Sequence, residues 1–385
     1  MKVLYSTQSI VEYDGHHYYS NPVQATYKRY LTLGDEITVF CYQKNVSEPK
    51  SDMVDKGAVR FVAAKKVNSL GALIKRVSRH NDRLAEQLVK ETDVCVAHVP
   101  CGHSSQVVKY ARKYGKPYLL VVCGCPWDAL WNYNWKGKLM APLAYLSLRR
   151  LMKDASYSIY VTKEFLQRRY PTKGRFIGCS NVNIKTGISE VLERRLQIIH
   201  QLEDEKRTLR IGTAAAIDVP YKGQEYVIRA LARLHSKGID YEYHLIGLGS
   251  DERLRDIAQK EGVGDRVFFH GSLPHNEVLA FMDDIDIYVQ PSKQEGLPRA
   301  AIEAMSRGCM CLGSRVAGIP ELLENDYLFA KGDVERIAEI LGSVTSDRLE
   351  QQARRNFVTS MDYDRDVLNK RRTEFIEEFK RSYSK

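Results

Sequence analysis

The chain alternates between short apolar runs and stretches whose apolar positions recur every three or four residues. "TDVCVAHVP", "PYLLVVCG", "SYSIYVT", "LRIGTAA", "EYHLIGLG", "RVFFHGS", "IDIYVQPS" and "CMCLGS" read as buried strands, and the start "MKVLYSTQ" reads as a first one. Between many of them lie helical patterns such as "GQEYVIRALARLHSKG", which puts Val227, Ile228, Leu231 and Leu234 on one stripe. Strand–helix alternation along the whole length predicts parallel α/β sheets. With 385 residues and 44% hydrophobic content, a globular chain of two domains follows. The stretch 181–208 carries no strand pattern and marks the seam. The expected organisation is residues 1–185, a linker over 186–207, a second domain over 208–360, and a charged helix over 361–385. That helix has Leu368, Phe375, Ile376 and Phe379 as its apolar contacts.

"PSKQEGLPRAAIEAMSRG", residues 291–308, places Glu295 in a polar loop and Glu303 on the second turn of the helix that follows. Pro298 suits the first helical position and Gly308 the stop, with Ala301, Ile302, Ala304 and Met305 as the apolar face. The preceding apolar run "IDIYVQPS" is a strand, so the loop leaves from its carboxyl end, where open parallel sheets bind ligands. A helix start there offers N–H groups and positive dipole to an anion. Lys222, in "DVPYKGQ", follows the first strand of the second half and reaches the same place. Carboxylates accept from paired hydroxyls and a cation balances phosphates, so the set suits a phosphate-bearing sugar nucleotide.

Charge changes the picture in one respect. Of the net +10, residues 1–185 hold 29 Lys and Arg against 14 Asp and Glu, whereas residues 186–385 hold 29 against 34. The excess lies in "KKVNSLGALIKRVSRHNDR", "KYARKYGK", "WKGKLMAPLAYLSLRRLMK" and "QRRYPTKGR". A one-sided basic half points to an anionic partner, lipid headgroups or nucleic acid, with a solvated basic surface as the plain alternative. No nucleic-acid-binding pattern accompanies it, and an acidic second half argues against a continuous basic groove. No stretch approaches 18 uncharged apolar residues, and the start is too short an apolar run for a signal peptide. Eight cysteines without a CxxC pair, several inside apolar runs, read as reduced buried thiols in a cytoplasm.

The residues 291–308, with "YKGQEYVIRALARL", "LIGLGSDERL" and "VFFHGSLPHNEV" upstream, resemble the retaining glycosyltransferases of family 4. The likeness is strong over 208–325 and diffuse over the first half. "KPYLLVVCGCPWDALW" and "YVTKEFLQRRYP" are similar to bacterial surface-polysaccharide enzymes. The resemblance implies the α/β GT-B fold, two facing Rossmann-like domains with a central cleft and a C-terminal helix crossing back. It implies that Glu295 holds the donor sugar's hydroxyls and Glu303 the ribose hydroxyls, and that Gly296 and Leu297 meet sugar and diphosphate through backbone N–H groups. It further makes Lys222 the phosphate-binding lysine, Gly271 to Leu273 the loop on the base, and His98 a histidine near the donor sugar. The family pairs its lysine with an arginine five residues earlier; Ile217 stands there, and Arg299 is one candidate replacement. The family's double-glycine N-terminal loop is reduced to Gly15.

The implied activity is metal-independent, retaining hexosyl transfer from a nucleoside-diphosphate sugar, UDP foremost, to a glycan or lipid-linked glycan acceptor in surface-polysaccharide synthesis. No cofactor is needed beyond that co-substrate. The expected location is the cytoplasm, peripheral at the inner face of the membrane, with the N-terminal half against anionic lipid. A sugar-nucleotide epimerase or phosphorylase on a similar fold, or a nucleotide-sugar-binding protein without transfer activity, remains the alternative.

Other motifs have plainer readings. "GLGSDE" opens like a dinucleotide loop, but Glu252 stands where a third glycine is wanted. Asp284 and Asp286 imitate a metal-binding DxD, yet alternation with Ile285 and Ile287 makes them a strand entry. Cys95, His98, Cys101 and His103 crowd together, but a strand followed by a loop splays them. His16 and His17 line the acceptor side or are ordinary loop histidines. Trp127, Trp131 and Trp135, four apart, form one stripe on a helix beginning near Pro126. The stripe is either packing or, with Lys136, Lys138, Arg149, Arg150 and Lys153 close behind, a lipid-facing platform.

Overall fold

The computed structural model describes all residues except 55–58, 67–71, 206 and 385; at Pro22, Ala25, residues 72–77 and 203–205, and His275 only the backbone is described. Part of the basic stretch 65–83 therefore lies outside the described residues.

One compact unit comprises Met1–Pro126, Leu143–Cys179 and Asn369–Lys385. Its strands are β1 (Lys2–Tyr13), β2 (Tyr18–Tyr19), β3 (Glu36–Asn45), β4 (Val59–Ala64), β5 (Val94–Val99), β6 (Tyr118–Val122), β7 (Tyr157–Tyr160) and β8 (Arg175–Gly178). They lie in the order β4-β3-β1-β5-β6-β7-β8, all parallel, and β2 folds back antiparallel on β1. β5 is buried at all six positions, which is why it reads as an apolar run interrupted by His98 alone. Residues 369–383 of the final helix Arg365–Tyr383 belong to this unit, where the Phe375 and Phe379 rings lie 5.5 and 5.3 Å from Tyr157.

The second unit comprises Trp127–Pro142 and Ser180–Leu368. Its strands β9 (Leu209–Ala214), β10 (Tyr241–Ile246), β11 (Val267–Phe269), β12 (Ile287–Gln290), β13 (Met310–Ser314) and β14 (Leu328–Phe329) form a parallel sheet ordered β11-β10-β9-β12-β13-β14. The stretch 186–207 is occupied mostly by the helix Ser189–Glu205, whose Ile199 and Leu202 join this unit's core. From the same helix the buried Arg195 donates to the carbonyls of Arg307, Ile285 and Met282, tying two other chain segments to one guanidinium. Each unit is Rossmann-like, a parallel sheet wound with helices, and together they match the GT-B structures.

Two local expectations need correction. Pro298 is not the first helical residue: it is extended (φ −71°, ψ 114°) and caps a helix that begins at Arg299 and runs to Ser306. The three tryptophans do not share a helix. Pro126–Trp131 ends, a turn intervenes, and a second helix spans Trp135–Lys153. Asn132 Nδ2 donates to the Asp128 carbonyl at 2.8 Å, and Asn134 Oδ1 accepts from the Gly137 N–H at 2.8 Å, the N-cap bond that starts the new helix. Trp127 and Trp131 stack at 5.2 Å, whereas Trp135 opens the next helix with 68% of its surface exposed.

Candidate functional site

Because every strand of the second sheet points the same way, the loops after β9, β10, β11, β12 and β13 leave from one edge. β9 and β12 are neighbours, but the chain continues from β9 to β10 on one side and from β12 to β13 on the other. At such a switch point adjacent loops diverge and open a crevice. The loop after β9 carries Lys222; the loop after β12 carries Glu295.

The two loops are fastened to each other. The Lys293 N–H donates to the Tyr221 carbonyl at 2.7 Å. Gly223, next to Lys222, takes φ +76°, and a Cβ on it would lie 2.1 Å from the Pro291 carbonyl oxygen, so only glycine allows this approach. The outcome is a Lys222 Nζ to Glu295 Oε1 contact of 2.6 Å, with the two side chains 19% and 14% exposed. The same oxygen accepts from Ser292 Oγ at 2.7 Å and Gln290 Nε2 at 3.1 Å. Among the described residues all three of these bonds fall on Oε1. Gln290 in turn donates to Ser292 Oγ at 2.8 Å and accepts from the Tyr288 hydroxyl at 2.7 Å. A buried polar network satisfied in this way is rigid.

Glu303 is half-buried on the second turn of the helix Arg299–Ser306, whose Ala301, Ile302, Ala304 and Met305 are buried as the apolar pattern requires. Tyr288 reports on both carboxylates. Burial foremost, and then the charges of Glu295 and Glu303, push its phenol well above the ordinary 10. Both signature carboxylates therefore act on one buried ring. Leu297 is buried and the Gly296 carbonyl accepts from the Gly318 N–H at 2.9 Å. Arg299 is exposed at the first turn of the helix. Gly271 (φ +70°) accepts the Gly247 N–H at 2.8 Å, so the Gly271–Leu273 loop and the loop after β10 are joined at the same sheet edge.

Ile217, in the place of the family's arginine, is 2% exposed and belongs to the apolar core. Other cations border the loops, and sequence reasoning passed over them. Glu225 takes Arg253 Nη1 at 2.6 Å and Lys293 Nζ at 3.5 Å, and Lys293 Nζ sits 4.9 Å over the Tyr226 ring. Arg253 Nε and Nη2 are buried without a hydrogen-bond partner among the described residues. Lys293 lies inside the 291–308 stretch, so its position was available from sequence; nothing in the pattern singled out Arg253.

His98 and Gly15 belong to the other unit. His98 lies near the carboxyl end of β5, at that sheet's own switch point beside β1. It is buried: Nε2 meets the Tyr30 hydroxyl at 2.9 Å, Nδ1 lies 3.8 Å from Cys123 Sγ, and the Tyr5 ring packs edge-on at 4.9 Å. Burial, aided by the charges of Arg29 and Arg372, pulls its pKa from 6.5 to about 3, which keeps the imidazole neutral at physiological pH. Gly15 (φ +102°) occupies the turn of the β1–β2 hairpin, beside Asp14, whose carboxylate accepts from the His16 and His17 N–H groups and from the Tyr19 hydroxyl.

The remaining ligand-like motifs have structural partners. Asp286, 3% exposed, accepts two bonds from Arg207 at 2.8 and 2.7 Å and one from the Arg210 N–H. His103 Nε2 meets the Thr7 carbonyl at 2.9 Å and its Nδ1 faces Cys101 Sγ at 3.2 Å, while His98 turns to Tyr30. All eight cysteines are free thiols, and burial raises those of Cys41, Cys95 and Cys123 to about 12.

Residues 199–359 match the family model described as "Glycosyl transferases group 1". Protein CapJ of Staphylococcus aureus is 29% identical over 82% of this chain and 78% of its own length. The amylovoran biosynthesis glycosyltransferase AmsK of Erwinia amylovora is 35% identical over 34% of this chain and 35% of its own. Among solved structures, HepE from Anabaena, in complex with UDP and glucose, superimposes with a TM-score of 0.65 at 17% identity, covering 98% of this chain and 99% of that one. The matches support a glycosyltransferase, with the matched family segment spanning the loops that carry Lys222 and Glu295 and the helix that carries Glu303.

Proposed function

We propose that the chain is a retaining hexosyltransferase that moves a sugar from a nucleoside-diphosphate donor, UDP foremost, to a glycan or lipid-linked glycan acceptor in surface-polysaccharide synthesis. One observation carries the reading: a largely buried Lys222–Glu295 pair at the β9/β12 switch point, beside a helix start and a second carboxylate. The likeness to AmsK, an amylovoran biosynthesis glycosyltransferase, supports the polysaccharide context, and the likeness to HepE, seen in complex with UDP and glucose, supports the UDP-sugar class.

In this reading Lys222 balances the diphosphate, and the first-turn N–H groups of the helix Arg299–Ser306 add their dipole. Glu295 presents its second oxygen to a sugar hydroxyl, because its first is held by Lys222, Ser292 and Gln290. Glu303 takes the ribose hydroxyls. The bond from the anomeric carbon to the phosphate oxygen breaks, the acceptor hydroxyl attacks the same face, and its proton passes to the departing phosphate. Positioning and leaving-group stabilisation supply the acceleration, so no metal and no potent nucleophile take part. Lys293 or Arg253 serves as the second cation in place of the missing arginine. The protein works in the cytoplasm, with its basic N-terminal half against an anionic membrane.

The test is a donor screen followed by product stereochemistry. A UDP-sugar that raises the melting temperature is incubated with acceptor, and proton NMR reads the anomeric configuration of the product. Retention supports the proposal; inversion contradicts it. Turnover unchanged by EDTA supports the metal-independent form, and loss on chelation contradicts it.

A further inference from the structure

The helix Trp135–Lys153 is apolar on two sides. Ala141, Leu148 and Met152 are buried, as expected of an inward face. Its outward positions are also apolar: Leu139 is 68% exposed, Leu143 60% and Leu146 45%. With Arg150 they fall at intervals of four, three and four residues, so they line one outer stripe. An ordinary surface helix is polar on that side.

Charge says what covers the stripe. From Leu130 to Lys153 there is no acidic residue, whereas Lys136, Lys138, Arg149, Arg150 and Lys153 are all basic. The stripe continues into an open groove of about 380 Å³, where Leu143, Leu146, Ser147, Arg150 and Leu151 meet Arg112 of the helix Gly102–Lys113. Arg112 is fixed at its rim: Nη2 donates to the Leu151 carbonyl at 2.7 Å and Nε to the Tyr118 hydroxyl at 3.0 Å. Guanidinium groups beside a leucine floor match a lipid phosphate above its first methylenes. No described helix is long and apolar enough to cross a membrane, so the matching geometry is a helix lying in the interface.

We propose that the outer face of Trp135–Lys153 docks the chain on an anionic phospholipid leaflet, with Leu139, Leu143 and Leu146 entering the acyl boundary and Arg112 and Arg150 holding lipid phosphate. This deepens the membrane contact of the proposed function and rests on it, while the donor chemistry stands apart. Long basic side chains keep their charges at headgroup level as the leucines sink. Each basic residue near an anionic surface adds electrostatic attraction, and the leucines add apolar burial, so both terms are required.

The test is cosedimentation of the full chain with vesicles of phosphatidylcholine alone or mixed with phosphatidylglycerol. The wild type is expected to partition into anionic vesicles at least ~10-fold more than into neutral ones, and raised salt weakens it. Leu143→Glu/Leu146→Glu loses binding to both vesicle types; Arg149→Glu/Arg150→Glu loses the anionic preference. Both variants keep the wild-type melting temperature and its rise with a UDP-sugar. Equal binding to neutral vesicles, no binding to either, or unchanged binding by both variants overturns the proposal. So does a concentration-dependent dimer abolished by the leucine pair, which assigns the stripe to a second copy. A wild type that binds vesicles but no nucleotide sugar contradicts the transfer reading and leaves the docking face standing.

Discussion

Replacing Lys222 by methionine keeps most of its unbranched aliphatic side chain and removes the ammonium with its charge and its hydrogen bond to Glu295, so the variant separates what the ion pair does for stability from what it does for turnover. Losing one partner of a fully buried pair costs about 3–5 kcal/mol. Here the pair retains some exposure, 19% and 14%, and Glu295 keeps its bonds from Ser292 and Gln290. The stability loss is therefore smaller, about 1–3 kcal/mol, read by denaturant titration. Turnover is expected to fall further, by ~10²–10³-fold at saturating donor, the usual cost of deleting one transition-state charge partner. UDP release measures it. The control is Lys222→Met/Glu295→Gln, in which the neutral amide still accepts from Ser292 and no carboxylate is left uncompensated. Stability should recover most of its loss and turnover should not. Wild-type kcat in Lys222→Met, or turnover that returns with stability in the double variant, refutes the assignment of Lys222 to the leaving group.

Other outcomes follow from the geometry. Gly223→Ala places a methyl group against the Pro291 carbonyl at a positive φ; a stability loss above about 1 kcal/mol is expected, with kcat reduced because the loop carrying Lys222 shifts. Asp286→Ala removes the bidentate partner of Arg207, whose side chain is 28% exposed, and is expected to cost about 1–3 kcal/mol, visible as a lower melting temperature that EDTA does not alter. His98 has a native pKa of about 3 against the ordinary 6.5, so the unfolded state binds its proton first as pH falls. Its contribution is fully present above 6.5 and is lost toward 3, at about 1.4 kcal/mol per pH unit in that window. Between pH 6.5 and 5 the wild type should lose roughly 2 kcal/mol more stability than His98→Gln; parallel pH profiles of the two contradict the buried neutral imidazole.

Strands were legible where burial is complete. β5, β12 and β13 are buried at every position, so their sequences are mostly apolar and carry no acidic residue, lysine or arginine, with His98, Gln290 and Ser314 as the polar members near their carboxyl ends. β4 was not legible, because as an edge strand it alternates with partly exposed positions such as Arg60. The Glu295–Glu303 spacing was readable because a loop and one helix fix it locally. That Lys222 reaches the same crevice was readable from its place after the first strand of the second half; its direct contact with Glu295, 73 residues on, was not, since it depends on the adjacency of β9 and β12. The tryptophan spacing misled because two asparagine side chains, at 132 and 134, end one helix and cap the next, and a period-four pattern takes no account of caps. Arg253 escaped notice for a similar reason: only the fold brings it to Glu225.

The central claim is that Lys222, Glu295 and Glu303 serve one donor at the β9/β12 switch point. A crystal structure of the chain with a non-hydrolysable UDP-sugar tests it most directly. The predicted result has Lys222 Nζ on the diphosphate, Glu295 on a sugar hydroxyl and Glu303 on the ribose, with the base beside the Gly271–Leu273 loop. A donor bound with its diphosphate out of reach of Lys222, or a site that engages neither carboxylate, contradicts it.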